Sequence, residues 1–524
     1  MGRTRDPVGG RRGQGAVCVL FLMEGPRVHR FPATSSALAG FLRVRPLMMA
    51  GVTVETVRVE GSGDSGVPVA AVPPVAGRRR SEAVLLVLAV LTGCSGYAYT
   101  GLATTGGLPG GLPAFAGAMV CLALFPHLAV RQWAPHADPL ILPLAVLLSA
   151  LGLVLLYRLD PAYSRRYDAA PTAAEQLMWT VLGVMLCVAV VALLRDHRRL
   201  QRYIYLTMAV ALVLLMAPAF FPGDLYGAKR WIFIGPLSFQ PGEFVKSMIA
   251  VFFAGYLVTH RDALALTGRK VLGMRLPPGR QLGPILAVWV LSLLVLIFER
   301  DLGTSLIFFG LFVVMLYAAT ERTGWVVCGV LMAGVGAGVV GSMEPHVKGR
   351  IDAWLHPFAA FEEGSGISDQ AAQALFSFGS GGVTGSGLGR GHPELIRFAG
   401  RSDFILTTVG EELGLAGTMA VLLLYALLVQ RGLSVALRTR DPFGKLLAVG
   451  LAAALALQVF VVAGGVLALI PLTGKALPFL AKGGSSLVAN WLMVALLIRI
   501  SDNAGREGGG NTGREDGEAA EACD

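Results

Sequence analysis

The sequence predicts an all-α polytopic membrane protein with about twelve transmembrane helices. Hydrophobic residues make up 54% of the 524 residues and charged residues only 15%, and the mean hydropathy is +0.64. A soluble chain carries roughly 25% charged residues. Apolar runs long enough to cross roughly 30 Å of hydrocarbon recur along the chain. Helices are the expected form because they hydrogen-bond their own backbone inside lipid.

Twelve apolar runs divide the chain into a membrane domain, 81–500, and two polar tails. The runs lie near residues 82–100, 112–130, 138–157, 175–194, 203–221, 243–259, 283–299, 302–319, 324–342, 404–430, 446–471 and 484–500. Residues 1–80 are basic and rich in glycine and proline, and residues 501–524 are rich in glycine and glutamate. Both compositions predict disorder, because they offer too little apolar surface for a packed core.

Lysine and arginine collect in five connections, which fixes the predicted orientation. These connections read "GRRR", "RDHRRLQR", "HRDALALTGRKVLGMRLPPGR", "TERTG" and "QRGLSVALRTRDPFGK". Short cytoplasmic loops carry an excess of these residues, so both tails are predicted to be cytoplasmic and the polar loop 343–402 extracytoplasmic. One outer segment, "YRLDPAYSRRYD" at 157–168, opposes the rule with three arginines.

The net charge and the cysteines exclude other classes of protein. The net charge of +10 could indicate nucleic-acid binding, but the basic residues lie in short clusters between apolar runs, where membrane orientation explains them. The six cysteines show neither paired nor metal-ligand spacing. The sequence therefore predicts no nucleic-acid partner, no disulfide framework and no zinc site.

Charged residues beside the sixth span are the first candidates for a functional site. Lys229 and Arg230 precede Trp231, and Glu243 and Lys246 lie at i and i+3 just inside the apolar run. Ionisable residues inside a membrane are costly and typical of functional sites. The alternative is that Lys229 and Arg230 anchor the interface while Glu243 and Lys246 only neutralise each other.

Acidic residues near other span ends form a second group. Asp301, in "ERDLGT", and Asp403, in "RSDFILTTVGEELG", both suit the N-cap position of the helix that follows. Glu411 and Glu412 lie about two turns into an apolar run, where capping does not explain them. The glycine-rich stretch "GSGLGRG" at 385–391 lacks the strand and the Lys-Ser or Lys-Thr of a phosphate-binding loop. It is interpreted as a flexible loop.

Seven segments, taken in order, resemble the SEDS family, the FtsW-, RodA- and SpoVE-like glycosyltransferases of bacterial cell-wall synthesis. The segments are "GAKRWI", "QPGEFVK", "DLGTSL", "GRIDAWLHPF", "GSGGVTGSGLGRG", "SDFILTTVGEELGLAG" and "GGSSLVANW". The resemblance covers about residues 140–500. It implies a ten-helix core preceded by two additional N-terminal helices.

The resemblance implies polymerisation of lipid II, the undecaprenyl-diphosphate-linked disaccharide-pentapeptide, into glycan strands at the outer face of the cytoplasmic membrane. An attacking sugar hydroxyl needs a general base, and the departing diphosphate needs cations. The predicted substrate-binding residues are Lys229, Arg230, Glu243, Lys246, Asp301, Arg350, Asp403 and Glu411. No cofactor is implied, although a divalent cation is compatible with the chemistry. The expected partner is a class B penicillin-binding protein, which cross-links the strands.

The loop departs from the family pattern at the position of the catalytic residue. The family commonly has Trp-Leu-Asp-Pro-Phe-Ala-Asp-Pro followed by Gly-Tyr-Gln, whereas here His356 and Ala360 replace the two aspartates. The general base must then come from Glu362, Glu363 or Asp369, or be absent. Counting back from Gln370 brings Glu363 to the place of the catalytic aspartate. The sequence leaves two alternatives to an active polymerase: a lipid II translocase, and a weakly active scaffold for a cross-linking enzyme.

Overall fold

Helices form almost the whole of the structure, a computed structural model that describes residues 75–221, 231–234, 237–265, 270–271, 274–275, 290–291, 294, 301–358 and 366–521. The described α-helices are α1 Val75–Thr105, α2 Leu112–Trp133, α3 Ile141–Tyr167, α4 Ala173–Leu193, α5 Ile204–Phe220, α6 Pro241–Ala265, α7 Leu302–Thr320, α8 Thr323–Met343, α9 Pro345–Leu355, α10 Gly366–Gly381, α11 Ile405–Arg438, α12 Pro442–Val466 and α13 Gly484–Glu521. Two 3-10 helices, His197–Tyr203 and Pro393–Arg401, connect α4 to α5 and α10 to α11.

Short strands occupy two connections of the described chain. Strands β1 Ile232–Ile234 and β2 Leu237–Phe239 form an antiparallel hairpin before α6, with Phe233 opposite Ser238. Strands β3 Lys270–Val271 and β4 Met274–Arg275 form a second antiparallel pair after α6. Neither pair changes the fold class, and the prediction of an all-α polytopic membrane protein is confirmed.

Eleven helices of the described residues are long and apolar enough to cross a membrane. Each of them coincides with one of the twelve predicted spans, and the remaining prediction, 283–299, lies mostly outside the described residues. Helix α3 continues to Tyr167, well past the predicted end at 157. The predicted loop 343–402 fits between the end of α8 and the start of α11, and its described part contains α9, α10 and the second 3-10 helix.

Helices α3, α12 and α13 form the centre of the bundle. They are buried along most of their lengths, whereas α1 and α5 expose most of theirs, as expected for helices that face lipid. Helix α13 packs against α4, α1 packs against α3, and α11 packs against α12. The described helices belong to one unit, Ala71–Asp524.

The bundle has two ends, which we name by the chain segments that they carry. The loop face carries the 3-10 helix Pro393–Arg401, which contacts the end of α3 where the Tyr163 hydroxyl donates to the carbonyl oxygen of Arg397. The tail face is the opposite end, where Arg79 of α1 and Asp502 of α13 lie. The segment 157–168 and the described part of the loop 343–402, both predicted to be extracytoplasmic, meet at the loop face.

Buried polar contacts close the tail face. Asp502 is fully buried and accepts from the backbone N–H of His136 at 2.9 Å. Arg499 donates to the carbonyl oxygens of Trp133, at 2.6 Å, and of Val191. Because these contacts extend order beyond residue 500, the predicted start of a disordered tail at 501 lies too early. Helix α1 likewise begins at Val75, inside the predicted N-terminal tail.

Gly152, in the middle of α3, allows the connection before α13 to pack directly on this helix. A Cβ atom at Gly152 would lie 2.5 Å from the carbonyl oxygen of Phe479 and 2.8 Å from the Cα of Leu480. Both neighbours are backbone atoms, which cannot turn away as a side chain can. The centre of the bundle therefore requires glycine at this position.

Replacing Gly152 by alanine should destabilise the protein despite alanine's higher helix propensity. The forced backbone shift should cost about 1–3 kcal/mol, measured as a lower midpoint of thermal unfolding of the purified protein. Gly117→Ala is the matched control, because a Cβ there meets open space in α2. An unchanged midpoint for Gly152→Ala would contradict the packing.

Candidate functional site

A buried ion pair at the start of α6 forms the centre of the candidate site. Glu243 lies in the first turn of α6 and Lys246 one turn later. Lys246 Nζ is 2.8 Å from Glu243 Oε2, and the side chains are 2% and 3% exposed, respectively. The i, i+3 spacing seen in the sequence therefore produces a direct contact between the two side chains.

Side chains of α12 and α13 surround this pair. Lys246 Nζ donates to Gln458 Oε1 and, at 3.1 Å, to Asn490 Oδ1. Glu243 Oε2 accepts from Ser486 Oγ at 3.0 Å and from Gln458 Nε2 at 3.4 Å. Glu243 and Lys246 thus do more than neutralise each other, because they join three helices through polar groups.

Lys475, in the connection between α12 and α13, extends the cluster to α7. Its Nζ is 2.9 Å from Asp301 Oδ2 and 3.7 Å from Glu243 Oε1. Asp301 is also the N-cap of α7, as predicted, and accepts from the backbone N–H of Thr304 at 3.0 Å and from its hydroxyl at 2.8 Å. We name this set of side chains the polar network; its members are Glu243, Lys246, Asp301, Gln458, Lys475, Ser486 and Asn490.

The charges of the polar network balance. Two carboxylates, Glu243 and Asp301, face two ammonium groups, Lys246 and Lys475, and all four side chains are 3% exposed or less. Removing one partner of such a pair leaves a buried unpaired charge, which costs about 3–5 kcal/mol. Four buried ionisable side chains inside a membrane domain therefore indicate a function beyond stability.

The sequence pattern does not identify Lys475, Gln458, Ser486 or Asn490 as site residues. The available signal is "PLTGKALPF", in which a single lysine interrupts a connection that the orientation rule places on the same side as Asp301. The other feature is Gly303 in "DLGTS": the structure shows that a Cβ there would lie 2.4 Å from Lys475 Cγ. Neither feature identifies the contact without the fold.

Helix α9 is fastened to the connection that carries Lys475. Arg350 donates from one of its guanidinium nitrogens to the carbonyl oxygen of Leu472 at 2.9 Å, and Trp354 Nε1 donates to that of Ala468 at 2.8 Å. The predicted residue Arg350 therefore lies against the connection that carries Lys475, on the helix that precedes Glu362 and Glu363 in the chain.

A second buried pair, Arg158 and Glu412, holds the glycine-rich stretch. Arg158 Nε is 2.6 Å from Glu412 Oε1, and the same guanidinium donates to the carbonyl oxygen of Gly391 at 2.6 Å. The Glu412 carboxylate also accepts from the backbone N–H of Gly389 at 2.9 Å and of Gly391 at 3.2 Å. One carboxylate from α11 thus organises several backbone groups of the loop.

The interpretation of residues 385–391, hereafter the glycine loop, as flexible is wrong. The backbone N–H of Ser386 donates to the carbonyl oxygen of Glu411 at 2.9 Å, and that of Gly387 to Glu412 at 3.0 Å. Glu411 Oε1 accepts from the backbone N–H of His392 at 2.7 Å. The predicted residue Glu411 therefore fastens the loop rather than joining the polar network.

Asp160 of α3 organises the connection between α3 and α4. Its carboxylate accepts from the backbone N–H and the hydroxyl of Thr172 and from the backbone N–H of Ala173, each at 2.8 Å. Arg401 lies 3.6 Å from Asp160 and stacks on Tyr163 with 4.2 Å from Cζ to the ring centroid. Burial lowers the pKa of the Arg401 guanidinium, and the Asp160 carboxylate opposes that shift.

Several predicted residues do not join the polar network in the described structure. Glu362, Glu363, Lys229 and Arg230 lie outside the described residues. Asp403 is partly buried, but the N-cap of α11 is Phe404, without a side-chain cap. The N-cap interpretation of Asp403 is therefore wrong. Within the described residues, no group of three His, Cys, Asp or Glu side chains could hold a metal ion.

Comparison with known proteins identifies the family. The sequence profile of the FtsW/RodA/SpoVE family of cell cycle proteins matches residues 138–505. Peptidoglycan glycosyltransferase RodA of Mycobacterium tuberculosis is 43% identical over 443 residues, which cover 84% of this chain and 94% of the relative. RodA of Mycobacterium leprae is 46% identical over 379 residues, covering 72% of this chain and 80% of the relative.

A solved structure supports the fold. A chain described in work on the structural coordination of polymerisation and crosslinking by a peptidoglycan synthase complex superposes with a TM-score of 0.56. It is 23% identical, and the match covers 70% of this chain and 98% of that one. The relatives and the spanning helices together mark a multi-pass protein of the bacterial cytoplasmic membrane. The profile match over 138–505 and the identity to these relatives show that the chain belongs to the FtsW/RodA/SpoVE family, the SEDS proteins.

Proposed function

We propose that this protein is a peptidoglycan glycosyltransferase that polymerises lipid II into glycan strands. The observation that carries the proposal is the polar network at the loop face, in a chain whose relatives are named for this activity. Two buried lysines supply the positive charge that a departing lipid diphosphate needs. Their position at helix ends suits a substrate whose tail stays in the bilayer.

The general base is assigned to Glu363, with Glu362 as its neighbour. Both follow α9, whose Arg350 is fixed beside the connection that carries Lys475. A glutamate on this segment would take the proton of the attacking sugar hydroxyl, while Lys246, Lys475 and Arg350 face the diphosphate. Lys229 and Arg230 precede the hairpin that leads into α6 and are assigned to the same leaving group.

The tail face argues against the translocase alternative. A translocase needs a polar path that opens on both sides of the membrane. Here Asp502, Arg499 and Asp138 use their polar groups to tie helix ends and connections together, whereas the polar network lies near the loop face. This asymmetry favours a reaction at one face.

The orientation and the partner follow from the same proposal. The loop face is assigned to the extracytoplasmic side, where polymerisation takes place, and both termini to the cytoplasm. The partner is a class B penicillin-binding protein, in agreement with a structural neighbour described as part of a peptidoglycan synthase complex. Division, elongation and sporulation are equally compatible with the site.

Replacing Lys246 by methionine should lower lipid II polymerisation by the purified protein by about 100-fold or more, because one cation facing the diphosphate is lost. Lys445→Met is the matched control, since Lys445 is exposed at the tail face. Product is measured as glycan strands on a gel, with insertion and monodispersity checked for each variant.

A double variant separates substrate binding from mutual neutralisation. Glu243→Gln combined with Lys246→Met removes both charges of the pair. If the pair served only to neutralise itself, the double variant would recover the parent's rate. If Lys246 faces the diphosphate, the double variant should stay as inactive as Lys246→Met.

Replacing Glu363 by glutamine should lower the rate by about 100-fold or more, the usual contribution of a general base. Glu362→Gln should retain most of the activity. Asp369→Asn should do the same, because Asp369 is paired with Arg397 at 3.2 Å. Full activity in all three variants would remove these carboxylates from the mechanism, and an inactive parent protein would support the scaffold alternative.

A single cysteine at Thr384, in a background free of other cysteines, should react in intact cells with a reagent that cannot cross the membrane. Thr384 is exposed at the loop face. A cysteine at Arg440, exposed at the tail face, should react only after permeabilisation. The opposite labelling pattern would reverse the orientation and remove the extracytoplasmic site.

A further inference from the structure

Helix α1 ends against the glycine loop, although it lies before the residues matched by the family profile, 138–505. Gly389 has φ +88, and a Cβ there would lie 3.1 Å from Ala103 Cβ and 3.2 Å from Thr104 Cγ2. The absence of a side chain at Gly389 therefore lets the last turns of α1 contact the loop. The contact places an N-terminal helix next to the segment held by Glu412.

Glycines of α1 allow this helix to pack closely against α3. A Cβ at Gly93 would lie 3.0 Å from Ala150 Cβ, and one at Gly96 would lie 3.4 Å from Val154 Cγ1. Close packing of small residues is the usual way in which membrane helices associate. Helix α1 is thus held at a defined distance from α3, the helix that carries Arg158.

An aromatic stack links both N-terminal helices to α3 at the residue before Arg158. The Tyr97 ring lies between Phe115 of α2 and Tyr157 of α3, with centroid distances of 4.3 Å and 4.0 Å. Tyr157 immediately precedes Arg158, which binds Glu412 and the carbonyl oxygen of Gly391. The N-terminal helices therefore contact the glycine loop directly, at Gly389, and pack against the residue that precedes Arg158 in α3.

We propose that helices α1 and α2 position the glycine loop, and that the stack at Tyr97 holds these two helices in the place from which they do so. The loop needs such support, because Gly385, Gly387 and Gly389 all adopt positive φ and glycine gains the most entropy on opening. The role in activity rests on the proposed function, whereas the role in loop order does not.

Hydrogen exchange of the peptide 382–392 tests the loop directly in the purified full-length protein. Tyr97→Leu removes the stack and should speed exchange of these amides about fivefold, by lowering the free energy of local opening. Tyr97→Phe keeps the stack and should leave exchange at the parent's rate. Tyr99→Leu is the matched control on the same helix, because Tyr99 is exposed. Phe115→Leu, which removes the α2 member of the stack, should act in the same direction and decides the question if Tyr97→Leu does not fold.

Polymerisation kinetics test the consequence for the reaction. Tyr97→Leu should lower kcat about fivefold with KM changed by less than about twofold, since the side chain is a positioning residue. Unchanged exchange in folded Tyr97→Leu and Phe115→Leu would overturn the proposal. Faster exchange together with an inactive parent protein would uphold the loop contact and count against the proposed function alone.

Discussion

Two buried lysines, each held by a carboxylate, are the constraint on which the loop face depends. Lys246 and Lys475 come from α6 and from the connection before α13, and their partners Glu243 and Asp301 stand at the starts of α6 and α7. A charge in this environment is stable only when it is paired and hydrogen-bonded. The starts of α6 and α7 must therefore lie close to the α12–α13 connection.

Buried carboxylates also hold the connections between helices, where they accept hydrogen bonds from backbone N–H groups. Irregular backbone near a membrane carries N–H groups that need acceptors. Asp160 and Glu412 provide acceptors from the ends of α3 and α11, and Glu411 adds another to His392. Asp160 thus fixes the connection from α3 to α4, and Glu411 and Glu412 fix the long connection from α10 to α11. The loop 343–402, which carries the proposed general base, is therefore held at its C-terminal end by side chains of α3 and α11.

Local pattern predicts part of this structure, and contacts between distant residues supply the rest. Apolar length gives eleven of the spans, and the i, i+3 spacing gives the Glu243–Lys246 pair. The contact of Lys475 with Asp301 is invisible in sequence, because it depends on how α7 and α12 pack. The same holds for the glycine loop, whose anchors lie on α3 and α11. Arg158, which opposed the predicted orientation, is buried against Glu412, so it is no signal of the side on which its loop lies.

The arrangement of donors explains how a charge-balanced network can serve an anionic substrate. In the present structure both lysines are paired with carboxylates, so under the proposed function a diphosphate would compete with these carboxylates for the N–H groups of the lysines. Glu243 would still accept from Ser486 and Gln458, and Asp301 from the backbone and hydroxyl of Thr304. Each carboxylate therefore keeps hydrogen bonds if its lysine turns toward another anion, which lowers the cost of the exchange. Under the proposed function, these additional donors to the carboxylates allow the lysines to be buried and paired in the free protein and still bind the leaving group.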